Sequence, residues 1–200
     1  MGVILSSCLV KSLQPFYHEK DVIYNPKLIG TYLDNDSAKW VIKQHVFSKG
    51  FMQGDTADNS YLVELHEEDH SISKFNVHMF ELDGIQYLDF FPVLGDRFDN
   101  FIGYHMVPVH SLARIEVKSA NQLVISWFDE EWLNKLFEEN RVKISHEVIK
   151  VGDYEQTKEY VLTASTDELQ KFIGKYGKEY LDQPCNAESD AVCVILNRVK

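Results

Sequence analysis

Eight histidines, three cysteines and 31 carboxylates supply most of the side chains here that could do chemistry. The nearest approach to a catalytic pattern is His66-Glu67-Glu68-Asp69-His70, which matches the zinc-protease signature H-E-x-x-H. That signature works on a helix, where both histidines share one face and the glutamate stands beside the metal-bound water. Here Tyr61–Leu65 and Ile72–Phe80 alternate apolar and polar residues on either side, as strands do. The five residues therefore read as a hairpin tip, and the match is accidental. A looser set is His78, His105 and His110, with Asp89 and Tyr104 nearby in sequence. Histidines on facing strands can gather round a metal when second-shell acceptors orient them. Single histidines in β domains are more often core or rim residues, so these three are weak metal candidates and no cofactor is expected. An unbroken strand puts His105 and His110 on opposite faces unless Pro108 introduces a bulge.

No Gly-x-Ser-x-Gly elbow, P-loop, dinucleotide-binding glycine pattern or Cys-x-x-Cys occurs. Nothing in the sequence invites an enzyme assignment, and no catalytic residue is named. The aromatic residues suggest binding instead. Phe75, Tyr87, Phe90, Tyr104 and Trp127 fall in or beside alternating segments and are candidates to line an apolar cavity. The opposing reading is a filled core. Cys185 and Cys193 would close a short loop in an oxidising compartment and remain inert thiols in a reducing one.

Strands must position these residues. Segments 28–33, 39–47, 61–66, 72–82, 85–91, 103–117 and 122–128 alternate in period two, and 49–60 reads as a loop. Asp83-Gly84 is a two-residue hairpin turn. Asp129 is placed to cap a helix running to about Asn140, with Trp132, Leu133, Leu136 and Phe137 on one face. Ser165-Thr166-Asp167-Glu168 forms a capping box for a second helix, and Gly177 is placed to stop it. Shorter strands are expected at 143–150, 160–163 and 191–199. The fold expected is mainly β (α+β): an antiparallel meander closed into a barrel or strongly curled sheet, with two short late helices.

Composition narrows the setting. A net charge of −11 repels phosphate, so nucleic acid and anionic lipid are poor partners for the protein surface. No apolar run approaches the ~20 residues of a membrane helix. Any hold on a membrane must come from elsewhere.

Leu5-Ser6-Ser7-Cys8 resembles the cleavage site of a bacterial lipoprotein signal, with a branched apolar residue, two small residues and the cysteine that receives diacylglycerol. Its continuation, Leu9-Val10-Lys11-Ser12-Leu13-Gln14-Pro15-Phe16-Tyr17, resembles a family of small lipoproteins of Gram-negative bacteria that open Cys-Leu-Val-Lys-Ser-Leu-x-Pro-Phe-Tyr. The resemblance is close over residues 5–33 and looser beyond. The basic start and apolar stretch that precede such a site in the family are not among these 200 residues, so 1–8 reads as a signal remnant and 9–200 as one β-rich domain. The resemblance implies a lipid on Cys8 and, with Leu9 following, an outer-membrane address facing the periplasm. A diacylglyceryl group supplies the two chains that stable anchoring takes. Gly30-Thr31-Tyr32 also resembles the Gly-x-Trp opening of lipocalins, with Tyr in place of Trp. The resulting expectation is a lipid-anchored envelope protein holding a small apolar ligand, or else an envelope-assembly protein with a solid core.

Overall fold

Each alternating strand has one apolar face to hide, and eight strands hide theirs by closing on one another. The structure, a computed structural model, describes residues 9–48, 55–67, 70–94, 101, 103–150, 158–181 and 192–199. Its strands are β1 (Lys11–Ser12), β2 (Gly30–Leu33), β3 (Lys39–Ser48), β4 (Asp55–His66), β5 (Ile72–Leu82), β6 (Ile85–Pro92), β7 (His110–Ser119), β8 (Gln122–Trp127), β9 (His146–Lys150), β10 (Lys158–Leu162) and β11 (Cys193–Arg198). The antiparallel order β6-β5-β4-β3-β2-β11-β8-β7 is closed by β6 pairing β7, with Tyr87 opposite Arg114 and Phe90 opposite Ser111. Closure removes the edges that an open meander would expose. A short extension β1-β10-β9 leaves the barrel from β7, and β1 runs parallel to β10.

The Asp83-Gly84 turn forms as its sequence requires, with both residues at positive φ, 52° and 78°. Asp129 accepts from the Trp132 N–H and starts α1 (Glu130–Glu138). The capping box of Ser165 and Glu168 starts α2 (Thr166–Phe172).

Three expectations change. Strand 103–117 begins only at His110, because Gly103–His105 forms a 3-10 turn. The loop 49–60 is shorter than expected, since β4 already starts at Asp55. Gly177 does not stop the second helix: a π-helical turn at Ile173–Gly177 carries the chain into α3 (Lys178–Leu181). A side chain at Gly177 would meet the Phe128 ring at 3.2 Å, so tight packing explains this glycine.

Two cores result. Inside the barrel lie Val63, Val77, Met79, Leu88, Ile125 and Leu196. Outside it, Phe80, Tyr87, Leu112 and Phe128 pack under Leu133, Leu169 and Phe172 of the helices. The buried side chains of both cores are no more than 9% exposed, as in an ordinary protein interior. Leu28, in the 3-10 turn Pro26–Leu28 that precedes β2, is buried in the barrel core. The Arg198 guanidinium lies 4.7 Å from the Tyr32 ring centre and donates to the Ile29 and Lys27 carbonyls at 2.8 and 2.5 Å. A Cβ at Gly30 would collide with that guanidinium. One arginine thus ties the first barrel strand to the last.

Candidate functional site

The barrel interior is the first place to look for a site. Of the aromatic residues expected to line a cavity, Phe75, Phe90 and Trp127 do converge, and Trp40 joins them. Ring centres are 5.8 Å apart for Phe75–Phe90, 5.4 Å for Phe90–Trp127 and 6.1 Å for Trp40–Trp127. The Trp40 indole N–H donates to Asp34 in the β2–β3 turn at 3.0 Å. These rings meet as a cluster among the barrel's buried side chains. Tyr87 lies instead on the outer wall, stacked 5.4 Å from Phe80 beneath the helices. Burial pushes its hydroxyl up to about 12. Tyr104 falls in the 3-10 turn and its side chain is outside the described residues. What remains inside is a void of ≈ 10 Å³ lined by apolar side chains, including Ile42, Val63, Val77 and Ile125. A drug-sized ligand needs roughly 300–1,000 Å³, and a single water about 10–15 Å³. Among the described residues the barrel interior is packed as a core.

The second place is a polar belt on the outer wall. The two-residue turn sets His78 opposite Asp89, and Ser60 pairs with His78 on the other side. Asp89 is fully buried, so its charge needs partners. It has two: the Phe16 N–H donates to Oδ2 at 2.8 Å, and His110 Nδ1 lies 2.7 Å from Oδ1. A carboxylate only accepts, so Nδ1 carries the proton in that bond. The bulge between Gln44 and Val46 includes His45, whose Nδ1 lies 3.2 Å from Asp58. Ser60 donates its hydroxyl proton to Asp58. His78 lies under the Tyr17 ring, with centres 4.4 Å apart and planes at 22°. Burial lowers the pKa of His78, against the pull of Asp89, Asp58 and Glu19, while His45 adds to the lowering. Burial also raises the Tyr17 hydroxyl, with Asp89 second.

A histidine oriented by a buried carboxylate is half of a general-base unit. The other half, a nucleophile bonded to that histidine, is not supplied by Ser60, whose proton goes to a carboxylate. The chain covers the belt with its own residues 15–21. Phe16 is fully buried; its carbonyl accepts from Gln170, and the Pro15 carbonyl accepts from Thr166 at 2.8 Å. His18 pairs with Asp167 at 2.9 Å. The belt is therefore a clasp that holds an N-terminal strap between the barrel wall and α2.

Of the weak metal candidates, His78 and His110 come together around Asp89, and His105 stays apart, bonded to the Phe101 carbonyl at 2.8 Å. Among the described residues no group of three or more His, Cys, Asp or Glu could hold a metal ion. His66 ends β4 and His70 sits in the following turn at φ 66°, so the H-E-x-x-H spacing is not helical. Cys193 is disulfide-bonded; Cys185 and Cys8 lie outside the described residues. The apolar run Leu9, Val10, Leu13, Phe16 and Tyr17 predicts that this segment lies against the domain, as it does; its partners Asp89 and His78 went unseen because they lie more than 60 residues away.

Beside Arg198 lies an open surface depression of ≈ 490 Å³, bordered by Pro26, Lys27, Ile29 and Leu123. Its one arginine is already bonded to backbone carbonyls and Tyr32. No helix among the described residues is long and apolar enough to cross a membrane. Comparison with protein-family models, curated proteins and solved structures finds no match for this chain.

Proposed function

We propose that this chain is a lipid-anchored protein of the bacterial cell envelope that works through its outer surface and carries no ligand inside its barrel. The observation that carries this choice is the filled interior, whose void of ≈ 10 Å³ is far below what an apolar small molecule occupies. The Leu5-Ser6-Ser7-Cys8 pattern supports the anchor. The disulfide on Cys193 supports an oxidising compartment, since cytosolic thiols are kept reduced. Leu9 after the cysteine favours the outer membrane, facing the periplasm.

Cell fractionation of the protein made from its native gene tests the anchor. The native protein is expected in the membrane fraction, and Cys8→Ser is expected to move it to the soluble fraction. A protein that stays with the membrane after Cys8→Ser, or that is soluble with Cys8 intact, would refute the anchor.

A further inference from the structure

Residues 22–28 lie across the strands of the barrel before β2 begins. The Ile23 N–H donates to the Met79 carbonyl at 2.8 Å, the Asn25 N–H donates to the Tyr61 hydroxyl at 2.7 Å, and Leu28 enters the barrel core. The open depression of ≈ 490 Å³ lies where the end of this segment meets the β7–β8 turn. The segment contributes Pro26 and Ile29 to its lining, and the hairpin contributes Val117, Ala120 and Leu123. Ile29 and Val117 are 36% and 45% exposed, so apolar surface there faces water.

Two cations, Lys27 and Arg198, border the same depression. Arg198 is half-buried, and its hydrogen bonds among the described residues all go to neutral acceptors. They are the carbonyls of Ala120 at 3.2 Å, Ile29 at 2.8 Å and Lys27 at 2.5 Å, and the Tyr32 hydroxyl. Such acceptors satisfy N–H groups and leave the positive charge without a counter-ion. Among the described residues neither Lys27 nor Arg198 pairs with a carboxylate, whereas Arg114 and Lys118 nearby on β7 share Glu116. The chain has 31 acidic and 20 basic residues, so two cations without acidic partners, set beside exposed apolar side chains, are complementary to an anion with an apolar body.

We propose that this depression receives the free C-terminal carboxylate of an extended partner polypeptide whose last side chain is apolar. This names one surface for the role proposed above and rests on that reading, though not on the lipid.

The chemistry selects a chain end. A C-terminal residue carries its carboxylate and its apolar side chain on one Cα, so both reach the depression together. An internal Asp or Glu cannot do this with its neighbour, because successive side chains of an extended segment point to opposite faces. The depression is open on one side, which suits the end of a long molecule, whereas pockets for small molecules enclose roughly 70–90% of their ligand. The charge is also held in place beforehand. The Arg198 guanidinium rests 4.7 Å from the Tyr32 ring centre and against Gly30, where a Cβ would collide with it. A fixed cation spares the partner the cost of ordering it.

Fluorescence anisotropy with labelled peptides tests this on the purified, unacylated full-length chain. The peptides share a Gly-Ser stem and end in each of the common amino acids with a free carboxylate; a matched set is amidated. Ends in Val, Ile, Leu and Phe are expected to bind tightest, and amidation to weaken them about tenfold. Lys27→Glu should weaken binding about threefold or more, the scale of an exposed ion pair, and added salt should weaken it further. Val117→Asp should also weaken it. Lys143→Glu, an equal change of charge outside the depression, should leave binding unchanged, and all four proteins should melt alike. Failure of every peptide to bind, binding indifferent to amidation, or binding unchanged by Lys27→Glu would overturn the proposal. So would octanoate binding more tightly than every peptide, which would assign the depression to a small amphiphile. Because the assay uses unacylated protein, its failure is distinct from failure of the anchor, which fractionation of Cys8→Ser reads.

Discussion

Asp89 shows how one buried charge organises a neighbourhood. Its two oxygens hold the Phe16 N–H and His110, and its strand pairing places it beside His78. Part of this was legible: a two-residue turn at Asp83-Gly84 forces residue 78 opposite residue 89. The cover was not, because nothing local to Tyr17 says that it will stack on His78. His105 was misjudged because Gly103 and Pro108 bracket a 3-10 turn where the alternation suggested a strand. His78 also gives the fold a pH dependence. Its folded pKa is lowered by burial, so it contributes stability that is present above its unfolded value near 6.5 and lost as pH falls through the folded value. Asp89, Asp58 and Glu19 oppose that loss, and Tyr17 and His45 complete the set around the ring. Thermal melting between pH 7.5 and 5 is expected to show a falling Tm. His78→Gln should flatten this limb even if it lowers Tm at pH 7.5. A limb unchanged by His78→Gln would place the titration elsewhere. At lower pH a separate loss is expected from Glu64, whose pairing with Lys43 and Lys74 holds its carboxyl below the usual range.

At the scale of elements, caps and turns were legible because their signals are local. Asp129, Ser165 and the Asp-Gly turn all act within four residues. Gly177 misled for the same reason: read locally it is a terminator, yet the Phe128 ring against it requires glycine for space. Closure into a barrel or strongly curled sheet was legible in the succession of short-turned strands, but the β6–β7 pairing that seals it was not, since that register depends on a connection with little alternation. Whether the aromatic strands enclosed a cavity or a core also lay beyond sequence, because volume is set by the side chains of eight strands together. The structure answers with a core, and Trp127 tests it. Trp127→Ala is expected to cost about 3–5 kcal/mol in urea denaturation and to open a space that takes up a small apolar probe, while the native protein takes up none. A cost near zero would mean that the Trp40, Phe75, Phe90 and Trp127 cluster does not fill the barrel.

At the scale of the whole molecule, a solid barrel, a clasped N-terminal strap and an oxidised Cys193 fit a domain held at a membrane by its chain terminus. The strap gives that attachment mechanical sense. Under the proposed anchor, force on residue 9 would pass to β7, β10 and α2 through β1 and residues 15–21, and the domain would not hang from a slack tether. An acylated Cys8 has its sulfur in a thioether, which leaves Cys185 as the partner of Cys193 within the chain. Native mass spectrometry of the protein released from the envelope of its own cells tests the whole account most directly. The expected spectrum is a single species beginning at acylated Cys8, two hydrogens lighter for one disulfide, with no small molecule bound. A species with an unmodified Cys8, or one carrying a stoichiometric non-covalent ligand, would contradict it.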